Sequence, residues 1–72
     1  MNDSESEVEA AAVKARLKLA SQDHSDLDVA IQALTAALVP DMMVIGRLKR
    51  KKLLLKDEIA RLKDQLTPDI IA

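Results

Sequence analysis

The 72-residue chain has no cysteine and no aromatic residue, and only one glycine and two prolines. Without cysteine there is no disulfide framework and no thiolate metal site. Without aromatics there is nothing bulky to enlarge a core, and none of the stacking platforms that single-strand and RNA binders use. A single glycine excludes a Gly-rich phosphate loop and the strand-end glycines of a doubly wound enzyme. Long apolar runs are missing as well. The acidic start, MNDSESEVEA, is the reverse of a secretory signal's basic one. The expectation is a cytoplasmic protein with no membrane partner.

What remains is helix-forming material. The chain is 49% hydrophobic and 32% charged, dominated by alanine, leucine and charged types. These lose least on entering a helix, whereas the β-branched and aromatic runs of a sandwich or barrel are absent. The net charge is only −1, yet the charge is segregated. Asp3, Glu5, Glu7 and Glu9 stand together without a basic residue. Arg47, Lys49, Arg50, Lys51, Lys52 and Lys56 fall in a stretch with no acidic one.

The spacing of apolar residues defines two helices. Val13, Leu17, Ala20, His24, Leu27, Ile31, Leu34 and Leu38 step alternately by four and three, a heptad seam with Leu17, His24 and Ile31 at a and Ala20, Leu27 and Leu34 at d. Capping boxes at Ser4 with Glu7, or Ser6 with Glu9, would start this helix behind a frayed acidic segment, residues 1–7. The polar stretch 21–26 interrupts composition without shifting the seam's phase. One continuous helix over about 6–38 is therefore expected rather than a fresh start at Ser25. Val39, Pro40 and Asp41 form the turn, because proline excludes Val39 from the helical region and suits the start of a new helix. A second helix over about 42–66 carries the seam Ile45, Leu48, Lys52, Leu55, Ile59, Leu62 and Leu66. Thr67 and Pro68 end it, and residues 67–72 are a short tail.

Two seamed helices joined by a tight turn make an all-α antiparallel hairpin, resembling a coiled coil, with a long first helix. If Leu38 faces Ile45, residue numbers across the pair sum to about 83 by antiparallel geometry. Ile31 then meets Lys52, Leu27 meets Leu55 or Lys56, His24 meets Ile59, and Asp28 pairs with Lys56. A two-helix core without aromatics is thin. Val8, Leu19, Met42, Met43, Leu53 and Leu54 fall outside the seam, leaving apolar surface that monomers avoid. The expectation is a homo-oligomer, most simply a dimer forming a helical bundle, with an unidentified protein partner as a further possibility.

His24, the single histidine, would need an orienting carboxylate to act as a base, and Asp28 or Glu58 are the candidates. As a metal ligand it has only carboxylates for company. The simpler reading is a polar seam residue that fixes register. Lys52, at an a position, reads as a side chain laying its methylenes on Ile31 and reaching Asp28 or solvent. Arg47, Lys49, Arg50 and Lys51 are the set that would track phosphates in a nucleic-acid binder. That reading is the less favoured one, since no aromatic or known groove-reading motif supports it. No nucleophile elbow or HExxH motif occurs. An enzyme is the least supported class, and no cofactor, metal or catalytic residue is expected.

The pattern His24-x-x-Leu27-Asp28-x-x-Ile31, followed by Arg47-Leu48-Lys49-Arg50-Lys51-Lys52-Leu53-Leu54-Leu55-Lys56-Asp57-Glu58-Ile59, resembles the YdcH-like family of small bacterial proteins. The resemblance covers about residues 24–72. It implies a cytoplasmic helical hairpin in a family whose biochemical function is not established, and it supplies no catalytic residue. It makes His24, Asp28, Lys52, Lys56 and Asp57 read as one set, to which the off-seam Leu53 and Leu54 add an interaction surface. Asp57 falls at an outward f position, where packing within the hairpin gives it no role.

Overall fold

The structure is a computed structural model that describes residues 3–66, with side-chain surroundings given from residue 7 onward. It consists of α1, Asp3–Thr35, and α2, Met42–Leu66, packed against each other as an antiparallel hairpin. The particle measures 58 × 26 × 14 Å. It is one helix thick, so the pair presents two broad faces and two edges.

Helix α1 runs without interruption through the polar stretch 21–26. Gln22 Nε2 donates to Asp26 Oδ1 at 3.1 Å, an i,i+4 bond that supports the helix where apolar contacts are fewest. The helix begins at Asp3, earlier than the capping boxes imply, so residues 3–7 belong to it rather than to a frayed segment. An acidic composition favours a helix N-terminus, where unpaired N–H groups leave positive potential. Residues 1–2 of the expected frayed segment, and the tail 67–72, lie outside the described residues.

The C-terminal end of α1 also differs from the seam's reach. Thr35 Oγ1 donates to the Ile31 carbonyl at 2.7 Å, Ala36 N–H to Gln32 at 3.1 Å, and Ala37 N–H to Leu34 at 3.3 Å. The last of these is an i→i+3 bond that tightens the final turn. The turn therefore spans residues 36–41, not 39–41, and Leu38 is fully exposed instead of closing the seam. Pro40 removes Val39 from helix, and the tightened last turn of α1 ends it before Leu38.

Asp41 is the N-cap of α2. Its Oδ1 accepts from the N–H groups of Met43 and Val44, both at 3.1 Å, and its carbonyl accepts from Ile45 N–H at 3.0 Å. Pro40 thus precedes the cap rather than occupying the first turn. Gly46 follows in α2, and a Cβ built there would meet nothing within 4 Å. The glycine is not required for close approach.

Ala20, Ile31, Ile45 and Leu62 are buried, and Ile45 is 1% exposed. Val13, Leu17, His24, Leu27 and Leu34 on α1 are half-buried, as are Leu48, Lys52, Leu55, Ile59 and Leu66 on α2. Every one of these is a seam position read from the spacing. The 3–4 periodicity forms because it alone keeps one stripe of each helix facing the other.

Candidate interaction surface

Lys52–Asp28 and Arg16–Glu58 are ion pairs that cross the seam, one on each side of it. Lys52 Nζ lies 2.5 Å from Asp28 Oδ1. Arg16 donates twice to Glu58, Nε to Oε2 at 2.7 Å and Nη2 to Oε1 at 2.9 Å. The expected partner of Asp28 was Lys56. Lys52, at its seam position, reaches Asp28 instead, the alternative its own position had offered. The Lys52 hydrogen bond, and then its charge, hold the Asp28 carboxyl below its ordinary value. The Arg16 hydrogen bond does the same for Glu58, against a smaller opposing effect of burial. Arg16 is raised in turn by that bond and by the Glu58 charge.

These pairs settle the surroundings of His24. Both carboxylates that might have oriented it are engaged elsewhere, and no hydrogen bond joins His24 to another described residue. It is half-buried at its seam position and borders an open groove with Ser21, Ser25, Ile31, Lys52 and Ile59. Among the described residues no group of three His, Cys, Asp or Glu side chains is placed to hold a metal ion.

The same groove is lined by Lys49, Leu53, Lys56 and Lys63. Lys49, Lys56 and Lys63 recur every seven residues and so form one row along α2. Lys14 and Lys18 lie on the stripe of α1 that continues into Ser21 and Ser25, because steps of three and four return to one side of a helix. Asp28 is the acid at the centre of this face, and Lys52 occupies it. No described carboxylate pairs with Lys49 or Lys56. The result is a lysine face with a shallow apolar floor.

The opposite face is built differently. Leu27, Leu54 and Leu55 floor a second groove bordered by Asp23 and Asp26 from α1 and by Lys51, Glu58 and Arg61 from α2. Leu27 and Leu55 therefore share one groove, as the seam requires. Charges of both signs stand on its rims.

The residues read from the sequence distribute between these faces. His24, Asp28, Lys52, Leu53 and Lys56 come together on the lysine face, whereas Leu54 lies on the mixed-charge face. Asp57 is exposed and borders neither groove, in keeping with its outward position. Arg47, Lys49, Arg50 and Lys51 do not form a single face. Lys49 borders one groove and Lys51 the other, and neither Arg47 nor Arg50 borders either. Consecutive residues point around a helix, about 100° apart, so a basic run in the chain is not a basic patch in space. The Arg16–Glu58 pair and the contributions of Lys49, Lys63, Ser21 and Ser25 to the lysine face escaped the sequence reading. The seven-residue interval of Lys49, Lys56 and Lys63 is the signal that announces that face.

No described helix is long and apolar enough to cross a membrane. No curated protein and no solved structure matches the chain. A family model described as "Protein of unknown function (DUF465)" matches residues 17–63, nearly two-thirds of the sequence. The match begins seven residues before the His24 motif and takes in both ion-paired residues of the lysine face, Asp28 and Lys52, together with Glu58. The chain belongs to the DUF465 family of proteins of unknown function, which includes the YdcH-like small bacterial proteins.

Proposed function

We propose that this protein is a structural interaction module, a helical hairpin that self-associates into a homodimer in the cytoplasm of a bacterial cell. The observation that carries this reading is the contrast between its core and its surface. Among the described residues four side chains are buried, while Val8, Leu19, Val29, Met42, Met43, Leu53 and Leu54 are each at least 60% exposed. A second copy would remove much of that apolar area from water, at about 25 cal/mol per Å². Sedimentation equilibrium over a concentration series tests it. A mass of two chains at micromolar concentration is expected, and a single-chain mass throughout would overturn the reading.

A second reading rests on the lysine face. Its lysines line one side of a 58 Å particle, an arrangement suited to a phosphodiester backbone. It replaces the Arg47, Lys49, Arg50 and Lys51 set with Lys49, Lys52, Lys56 and Lys63. A mobility-shift titration across a salt series separates the two readings. Binding that weakens steeply with salt and disappears in Lys49→Glu with Lys56→Glu supports nucleic-acid binding, and no shift at low salt retires it.

A further inference from the structure

The two broad faces are not equivalent as surfaces for a second copy. In a two-fold dimer the same patch meets itself. Were the lysine face used, Lys14, Lys18, Lys49 and Lys56 of each chain would confront the same residues of the other. At their level the face offers Asp28, and it is committed to Lys52. Like charges brought together across an interface of lowered dielectric repel strongly. The lysine face is thereby excluded as a self-contact.

The opposite face has the reverse property. Glu58 of α2 is taken up by Arg16 of α1; beside that pair, the acids Asp23 and Asp26 stand on α1 and the cations Lys51 and Arg61 on α2. Leu54 lies between them, 62% exposed, and Leu19 on the same side of α1 is 60% exposed. A two-fold axis running along the hairpin lays α1 of one copy over α2 of the other at the same level. Acid then meets base twice, and the two leucine clusters close over each other. An axis perpendicular to the helices would instead stack α1 on α1 and set Asp23 and Asp26 against themselves. The area suffices, since the 58 × 26 Å face exceeds the roughly 800 Å² that a standard interface takes from each partner.

We propose that a second copy of this chain docks on the face formed by Leu19, Leu54, Asp23, Asp26, Lys51 and Arg61, with α1 of each copy over α2 of the other. This rests on the self-association reading and adds the surface and the geometry to it. It also leaves the lysine face open on both outer sides of the four-helix assembly.

The experiment is a charge swap read by sedimentation equilibrium, with helicity followed by circular dichroism. One variant carries Asp23→Lys and Asp26→Lys, the other Lys51→Glu and Arg61→Glu. Each alone is expected to dimerise at least about tenfold more weakly than the original chain, because both its helices now carry one sign on this face. An equimolar mixture restores the dimer, since the basic helices of one variant meet the acidic helices of the other. Leu19→Lys with Leu54→Lys abolishes dimerisation without touching a buried side chain, while Leu53→Lys on the lysine face leaves it intact. If the original chain is a dimer and the swapped variants or Leu19→Lys with Leu54→Lys dimerise as it does, this face is wrong although self-association stands. If the original chain is monomeric, both readings fail together.

Discussion

Arg16 and Glu58, forty-two residues apart in the chain, are joined by two parallel hydrogen bonds of 2.7 and 2.9 Å. This fork-to-fork geometry fixes distance and orientation together, which a single lysine contact does not. It ties the middle of α2 to the N-terminal half of α1, far from the turn. With Lys52–Asp28 on the other side of the seam, it holds the two rods in one register along most of their length.

Both bridging carboxyls are easier to ionise in the folded hairpin than in the open chain. The unfolded chain therefore binds more protons than the folded one through the acid range. The resulting stabilisation is fully present above the ordinary carboxylate values and is lost as pH falls through the lowered folded ones. Urea denaturation followed by circular dichroism should show a midpoint that is flat from neutrality down to about pH 5 and then declines. Glu58→Gln should lower the neutral midpoint and make the acid limb shallower. An acid limb of unchanged steepness in that variant would show that Glu58 contributes nothing to it. Because both pairs are substantially exposed, added salt should narrow the difference.

Ile45 and Leu38 occupy equivalent places in the heptad pattern and opposite places in the fold. Ile45 is 1% exposed under α1, whereas Leu38 stands wholly in solvent in the turn. Ile45→Ala should cost about 2–4 kcal/mol, a lost apolar contact plus the cavity it leaves. In so small a core that is enough to unfold much of the population. Leu38→Ala should change stability by less than about 0.5 kcal/mol. Equal costs for the two would place Leu38 in the seam after all.

That contrast shows which information the sequence holds. The inward stripe of each helix was legible because the four-and-three spacing kept phase through the polar stretch 21–26, and burial follows it from Val13 to Leu34 and from Ile45 to Leu66. The end of α1 was not, because Leu38 continues the pattern. The helix nevertheless stops at Thr35, which the spacing does not announce. For Asp28 the spacing offered both Lys56 and Lys52, and which of the two long side chains reaches it is settled only in the packed pair, where it is Lys52. The basic run drew attention to neighbours in the chain, while the face that forms joins Lys49, Lys56 and Lys63, which are neighbours only on a helix.

Asp41 satisfies two otherwise unpaired N–H groups at the start of α2 and places its negative charge at the positive end of that helix. Asp41→Ala should therefore destabilise the hairpin by about 1 kcal/mol, and Asp41→Asn by less, since the amide oxygen still accepts. A loss as large in Asn as in Ala would assign the effect to charge rather than to the hydrogen bonds. The denaturation midpoint distinguishes them.

Gly46 is the last test, and it runs in the opposite direction. It lies inside α2 with ordinary helical backbone, and an added Cβ meets nothing within 4 Å. Gly46→Ala removes conformational freedom from the unfolded chain without strain in the folded one, and should stabilise by about 0.5–1 kcal/mol. Gly46 shares a stripe with Lys49 and Leu53, on the face that the dimer geometry leaves open. The gain should therefore be the same at low and high protein concentration. A stabilisation seen in the dilute chain but reversed in the concentrated one would mean that a second copy approaches Gly46 closely, which is incompatible with docking through Leu19 and Leu54.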